Sequence, residues 1–551
     1  MKREPVQPAA DRDSSETVVP KKRRGVLWMV KWSTIAILLI LIVLVCLNFR
    51  IPPGNSSPLV RVSPQTTFAV SPLKPSGDID YIAFLNQQHA VTPEDNAFVD
   101  LLRIKGPVAE KRMPPPEFFR LLGIEPPPPI GDYYVEFPLP AQLALGPGAT
   151  IDGTKLDAAE IFEITSSVPF SPGQFPAVDN WFARNEHHLA AIHQAVRKPG
   201  YYMPYVGDTV AGIGHPHTQE MRGIARGLQR ASMLRLGRGD VAGAIDDQLA
   251  MLRLGRHVGR NGTPTEYLIG LAAERMGQYS LAQTIFSGKC SAADLARLAN
   301  ELKSLPPPLD YSTGNLRTLR VQALDVIIQI GRQGPFPWKD DMPTLFTVDP
   351  VPNSTISDKL VRSTINWELV FITLNNEFDR IEATLLDKSM SKAEMVRMYV
   401  ADQRALEIGQ GTSTEMIGTA LASRNGRSRL VGNIAAALIA PGLGHIQDIN
   451  GLDAVIQVAI ALQRFHLDHG AYPERLDQLV PAYLEAIPLD PCTDQPLVYT
   501  PKQGDPFLLY SLGANRIDDG GISIFENQSS QVDLPAAPKI RTVAEWIKAK
   551  K

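Results

Sequence analysis

The feature that most constrains this chain is an apolar run close to its N-terminus, from Leu27 to Phe49. Residues 32–49 of that run carry no formal charge, and as a helix they would span about 27 Å at about 1.5 Å per residue. That length is close to the hydrocarbon thickness of a bilayer. We therefore predict a single transmembrane helix at residues 27–49 that holds the chain in the lipid bilayer.

The charges beside this run predict its orientation. Four consecutive basic residues, 21–24, precede it, whereas only Arg50 and Arg61 follow closely. The positive-inside rule then places a short basic tail, residues 1–26, in the cytoplasm of a bacterial cell and the remainder in the periplasm. A cleaved signal peptide is the competing interpretation, but residues 48–51 offer no small-x-small cleavage site, which favours an uncleaved signal-anchor in the inner membrane.

Length and charge limit the remaining possibilities. A chain of 551 residues is too long for one compact core, so two or three domains are expected. The net charge is −3, and residues 1–31 contain eight basic and four acidic side chains, which leaves the rest of the chain acidic. Without a basic patch, nucleic acid is not an expected partner. Cys290 and Cys492 are either a disulfide pair or two free thiols.

Behind the predicted membrane helix, residues 50–77 are rich in Pro, Ser and Val and lack periodicity, which predicts a stalk or linker. Residues 78–445 predict a helical domain, with helix starts at Thr92-Pro93 and Thr263-Pro264. The pentapeptide Leu-Arg-Leu-Gly-Arg occurs at 234–238 and again at 252–256. We interpret each copy as a helix end closed by glycine, which predicts stacked antiparallel helix hairpins.

The helix pair around the first copy resembles part of a tetratricopeptide repeat. The matching positions are Leu236-Gly237, Ala244-Ile245 and the stretch 249–254. The resemblance covers one repeat, and no 34-residue period continues through the chain. It implies a tetratricopeptide-like domain, and an irregular helical bundle is the alternative.

The C-terminal residues 446–535 predict a small α+β module. A helix with an apolar face ends at Gly470 and is followed by the turn Tyr472-Pro473 and by Asp490-Pro491. Short strands at 497–499 and 507–513 then lead into a loop of Asn, Asp and Gly. Residues 536–551 form a C-terminal tail with helical character.

This order of motifs resembles the soluble end of the major pseudopilin of type II secretion systems. The resemblance implies a helix on a small antiparallel sheet and a calcium site in the last loop. The oxygen ligands that it implies are Leu512, Asn515, Asp518 and Asp519, and a tight turn capped by the same side chains is the alternative. Pilins carry their membrane segment directly before the helix, so we do not expect this chain to polymerise.

The chain as a whole also resembles a family of long membrane-anchored proteins of unknown function common in planctomycetes. The stretches that support this resemblance are 185–195, Arg197-Lys198-Pro199, the helix pair at Gly239-Asp240 and the pseudopilin-like C-terminal end. That family supplies no activity from which to argue.

Motifs of common hydrolases and nucleotide-binding enzymes are absent. His187 and His188 precede His193 on a predicted helix. His188 and His193 are five residues apart, so they point to different faces of that helix. His215 and His217 flank a proline at a helix start, with Glu220 following. Our first hypothesis is therefore a non-enzymatic envelope protein, a scaffold or assembly factor that binds an unidentified envelope protein. The alternative is an envelope hydrolase that uses His215 and His217.

Overall fold

The structure is a computed structural model. It describes residues 57–143, 149–151, 153–210, 213, 216–309, 314–333, 363–387, 389–391, 394, 423–426, 428, 444–501, 507–513, 516–521, 534–535 and 542–550. The described chain is mainly helical with few strands.

Within the described residues, seven helices and one hairpin precede a central stack of three helices. The helices are α1 (Pro64–Thr67), α2 (Tyr81–His89), α3 (Ala97–Lys105), α4 (Pro116–Leu122), α5 (Pro140–Leu143), α6 (Ala158–Ser167) and α7 (Pro176–Ala195). The hairpin consists of β1 (Ala149–Ile151) and β2 (Thr154–Leu156), which pair antiparallel.

The stack and the C-terminal part follow. Their helices are α8 (Pro216–Gly237), α9 (Val241–Gly259), α10 (Pro264–Ile285), α11 (Ala292–Ser304), α12 (Leu316–Gln333), α13 (Trp367–Leu386), α14 (Gly444–His469) and α15 (Val543–Lys550). Three antiparallel strands, β3 (Val498–Thr500), β4 (Leu508–Ser511) and β5 (Leu534–Pro535), lie in the order β3-β4-β5.

The predicted fold class needs one correction, which concerns the membrane. Among the residues that the structure describes, no helix combines the length and the apolar character needed to cross a bilayer. The fold class with a transmembrane helix is therefore not the one observed. Residues 27–49, which carried that prediction, lie outside the described residues, as does the basic tail 1–26.

The region predicted as a stalk also differs, from residue 57 onward. Leu59 and Val60 are buried in a core formed with α12 and α13. Asp78 accepts a hydrogen bond from the Leu59 amide at 2.8 Å and forms an ion pair with Arg332 at 2.6 Å.

The core helices α8, α9 and α10 pack on one another through short connections, as the hairpin prediction requires. A capping box at Thr263 and Glu266 starts α10, which confirms that prediction. The second Leu-Arg-Leu-Gly-Arg copy was misinterpreted, because α9 continues past Gly255 to Gly259. The first predicted helix start is also displaced: α3 begins at Ala97, capped by the side chain of Asn96.

The C-terminal residues fold against this stack. The long predicted helix ends at His469, and Gly470 has φ of 73°, as expected for a helix end. Strands β3 and β4 lie where they were predicted. Val455, Val458 and Leu462 of α14 share a core with α9, α10 and α11.

A buried ion pair network fixes α14 on the stack. Arg256 donates to Glu274 at 2.6 Å and to Asp453 of α14 at 2.9 Å, and Gln278 donates to the second Asp453 oxygen at 2.8 Å. Glu274 is fully buried, and burial raises its pKa to about 7 although Arg256 opposes the rise. The predicted boundary at residue 446 therefore crosses a continuous core.

Candidate functional site

His217 lies in the first turn of α8, where the sequence places it, and it is almost completely buried. Its Nδ1 lies 2.8 Å from a carboxylate oxygen of Glu220, three residues on. A carboxylate only accepts, so Nδ1 donates this hydrogen bond, and in that tautomer Nε2 carries the lone pair. Among the described residues, Nε2 has no hydrogen-bond partner. The sequence spacing thus produces an imidazole with one nitrogen fixed and the other available.

Residues distant in sequence complete this arrangement. Lys105, in the last turn of α3, donates to the other oxygen of Glu220 at 2.9 Å and pairs with Glu136 at 3.6 Å. Burial raises the pKa of Glu136, although Lys105 opposes the rise. The lysine compensates the Glu220 charge in a buried position, so the His217 ring is held in one orientation.

The ring borders a cavity of about 330 Å³ with mainly apolar walls. Phe118 stacks on the imidazole with ring centroids 5.5 Å apart and an interplanar angle of 28°. The walls are formed by Ala109, Glu110, Arg112, Met113, Pro114, Pro115, Phe118, Met203, Pro204, Val206, Ile213 and His217. Within the described part of the chain, these walls contain no serine, threonine or cysteine that could act as a nucleophile.

A tight turn forms one edge of the cavity. Ala109 and Arg112 exchange two backbone hydrogen bonds, at 3.1 and 2.8 Å. Between them, Glu110 and Lys111 have φ of 48° and 64°, a conformation that normally needs glycine, asparagine or aspartate. Each such residue costs of the order of 1 kcal/mol, and strain of this kind concentrates at functional sites.

In the other predicted histidine group, His193 lies apart from His187 and His188 and has a different partner. His193 pairs with the buried Asp247 at 2.7 Å, whereas His187 and His188 face Asp132 in the segment between α4 and α5. His215, predicted as a partner of His217, lies outside the described residues. Asp132 and Lys105 were not anticipated, because no local pattern connects them to the histidines.

Part of the predicted calcium loop is described. Asp518 accepts from the Tyr510 hydroxyl at 2.7 Å and from the Gly520 amide at 2.9 Å, and these bonds lower the pKa of Asp518. Leu512 donates its amide to Asp490 at 2.9 Å. Asp519 lies in the same turn, and Asn515 lies outside the described residues. The tight-turn interpretation accounts for the bonds to Asp518, and calcium binding stays a prediction.

Cys290 and Cys492, the two cysteines beyond the N-terminal segment, do not form the disulfide that the sequence left open. Burial raises the pKa of Cys290 to about 12, so its thiol is protonated at neutral pH and reacts slowly.

Comparisons with known proteins found no match: no protein-family model fits the chain, and neither a curated protein nor a solved structure is similar to it. The resemblances to tetratricopeptide repeats, to pseudopilins and to the planctomycete family stay predictions. Function is therefore inferred from the chain's own residues.

Proposed function

We propose that this chain is a non-enzymatic binding protein in which the cavity beside His217 holds an apolar side chain of a partner protein. The observation that carries the proposal is the composition of the walls, which are apolar apart from one fixed imidazole and two charged residues, Glu110 and Arg112. Binding sites commonly combine apolar walls with a few well-placed polar groups.

The lone pair on Nε2 of His217 adds direction to this site. It accepts a hydrogen bond from a backbone N–H or a side-chain donor of the partner, because Glu220 holds the proton on Nδ1. A cavity of about 330 Å³ is at the lower end of the range for small-molecule sites, so one or two side chains would fill it.

The strained turn provides a contact for the partner backbone on the same edge. Glu110 and Lys111 are exposed, and they extend from the turn beside the cavity walls. A partner segment anchored by its apolar side chain would therefore also meet one acidic and one basic group. The stack of α8, α9 and α10 behind the cavity gives this contact a rigid support.

The second candidate function is hydrolysis with His217 as a general base. The His217–Glu220 pair favours it, because a carboxylate on Nδ1 orients an imidazole for accepting a proton at Nε2. Catalysis would then require water as the nucleophile, given the side chains in the described walls.

A peptide-display experiment on the full chain tests the proposal. We expect selection from a random library to enrich peptides that share one large apolar residue. Val206→Trp fills the cavity and should abolish their binding, whereas Val70→Trp adds the same side chain at an exposed position and should not. His217→Leu removes one neutral hydrogen bond, so the affinity should fall about 2- to 13-fold.

The outcomes separate the two candidates. Peptides that bind Val206→Trp as tightly as the original chain would refute the proposed site. If the full chain instead hydrolyses ester or peptide substrates and His217→Ala abolishes turnover, the hydrolase is correct. Circular dichroism of each variant establishes that the fold is retained.

A further inference from the structure

A second group of polar side chains lies between α7 and the segment that follows α4. Nε2 of His187 lies 3.1 Å from one oxygen of Asp132, and Nε2 of His188 lies 3.5 Å from the other. The two imidazole rings are 3.8 Å apart. One ligand atom from each of the three residues can be chosen so that all lie within 4.8 Å of one another.

These separations are those of a metal-binding group. Zinc binds histidine nitrogen and carboxylate oxygen at about 2.0–2.2 Å, so two ligand atoms on a tetrahedral ion are about 3.3–3.5 Å apart. Each histidine nitrogen lies at about this distance from one oxygen of Asp132, at 3.1 and 3.5 Å, and all three ligand atoms lie within 4.8 Å of one another, so the side chains would close by about 1 Å around an ion.

The burial of His188 is an independent indication of a ligand. Its side chain is only 9% exposed, and its Nε2, which faces Asp132, has no hydrogen-bond partner among the described residues. A metal ion at this position would satisfy Nε2, and it would remain accessible because Asp132 and His187 are 83% and 60% exposed.

The backbone that carries the three side chains is held by other interactions. Asn185 of α7 accepts from the Val135 amide at 2.8 Å, and the Trp181 indole donates to the Val135 carbonyl at 2.7 Å. Tyr133 donates its hydroxyl to the Pro128 carbonyl at 2.6 Å. The segment carrying Asp132 is therefore fixed to the helix carrying both histidines by contacts that do not use the ligand atoms, which is the support that metal sites require.

We propose that Asp132, His187 and His188 bind a divalent transition-metal ion, with Zn²⁺ the ion that the donor set and spacing fit best. Two histidines and one carboxylate leave at least one coordination position open to solvent, which is the arrangement of ligand-exchanging and catalytic metal sites rather than of closed structural ones. The proposal is independent of the partner-binding cavity at His217.

The experiment uses the full chain without a histidine tag, treated with chelator and then titrated with Zn²⁺ by calorimetry. We expect one equivalent to bind. Co²⁺ in its place should give visible absorption bands with the intensity of a four- or five-coordinate complex.

Two variants at exposed positions decide the assignment without endangering the fold. His187→Ala and Asp132→Asn should each weaken Zn²⁺ binding by more than ~100-fold, since losing a ligand exceeds the ~10–100-fold effect of losing a supporting residue. His466→Ala removes a histidine outside the cluster and should bind as the original chain does. The absence of saturable Zn²⁺ binding, or unchanged affinity in both cluster variants, would overturn the site.

Discussion

The crossing of α9 and α10 depends on two glycines, and replacing either by alanine tests how the helical stack is built. A Cβ atom on Gly255 would lie 2.6 Å from the Gly270 carbonyl oxygen and 2.7 Å from the Glu274 amide nitrogen. A Cβ on Gly270 would lie 2.5 Å from the Gly255 carbonyl oxygen. Close carbon–oxygen contacts in proteins begin at about 3.3 Å, so the two backbones would have to separate by about 0.7 Å.

Two opposing effects set the size of the change. In a helix interior, alanine is favoured over glycine by about 1 kcal/mol. Inserting a methyl group into a packed interface costs about 1–3 kcal/mol, and here the obstacle is backbone on the facing helix, which places the cost at the upper end. A gap of 0.5–1 Å also forfeits a quarter to a half of the dispersion energy of the separated atoms. We expect Gly255→Ala to destabilise the chain by about 2 kcal/mol.

Thermal unfolding of the full chain measures this change. If the cooperative unit is 150–250 residues, about 2 kcal/mol lowers the Tm by about 4–8 °C. The matched control is Gly223→Ala in α8, where the added Cβ meets only the carboxyl end of the Glu136 side chain, which is partly exposed, and no backbone atom. The control should leave the Tm unchanged or raise it.

The double variant sharpens the test. Once Gly255→Ala has separated the helices, Gly270→Ala places its methyl group in the same gap. The double variant should therefore lose less unfolding free energy than the two single variants lose together. A Gly255→Ala chain as stable as the original, or full additivity, would refute a backbone contact at this crossing.

Three further predictions concern buried groups. Burial raises the pKa of Asp325 to about 6 from its ordinary 3.8. The unfolding free energy, measured by urea titration, should therefore decrease by about 3 kcal/mol as the pH rises from about 4 to about 6. The Asp325→Asn variant should not show that decrease. Asp490→Ala leaves the Leu512 amide without its acceptor and should destabilise the C-terminal strands by about 1–3 kcal/mol, detectable as faster proteolysis there than in Asp490→Asn. Cys290 and Cys492 should resist a thiol reagent in the folded chain and react without prior reduction once it is unfolded.

The repeated pentapeptide illustrates which parts of the fold could be predicted from sequence. Periodicity and caps located the helices well, including the start of α10 at Thr263 and the end of α14 at Gly470. The role of the two glycines could not be predicted from the sequence. A glycine that ends a helix and a glycine at the crossing of two helices occur in similar sequence patterns. A Cβ on Gly237 would lie 1.8 Å from the Phe170 carbonyl oxygen, so both copies serve close packing.

The candidate sites divide in the same way. His217 and Glu220 are three residues apart on one helix, a spacing that places side chains on the same face and can be read from sequence. Lys105 is 115 residues from Glu220, and Asp132 is 55 residues from His187. Such pairs form only when separate elements pack together, so local patterns could not identify them.

The buried charges explain why the boundary predicted at residue 446 fails. Arg256 and Glu274 occupy helices that are buried on almost every side, and removing one member of a buried ion pair costs about 3–5 kcal/mol. Asp453 supplies one of the acceptors for Arg256, from the same helix whose Val455 and Leu462 fill the shared core. A fragment beginning at residue 446 would expose that apolar face and leave Asp453 without its donors, Arg256 and Gln278. The effect of calcium on the terminal loop must consequently be measured on the full chain.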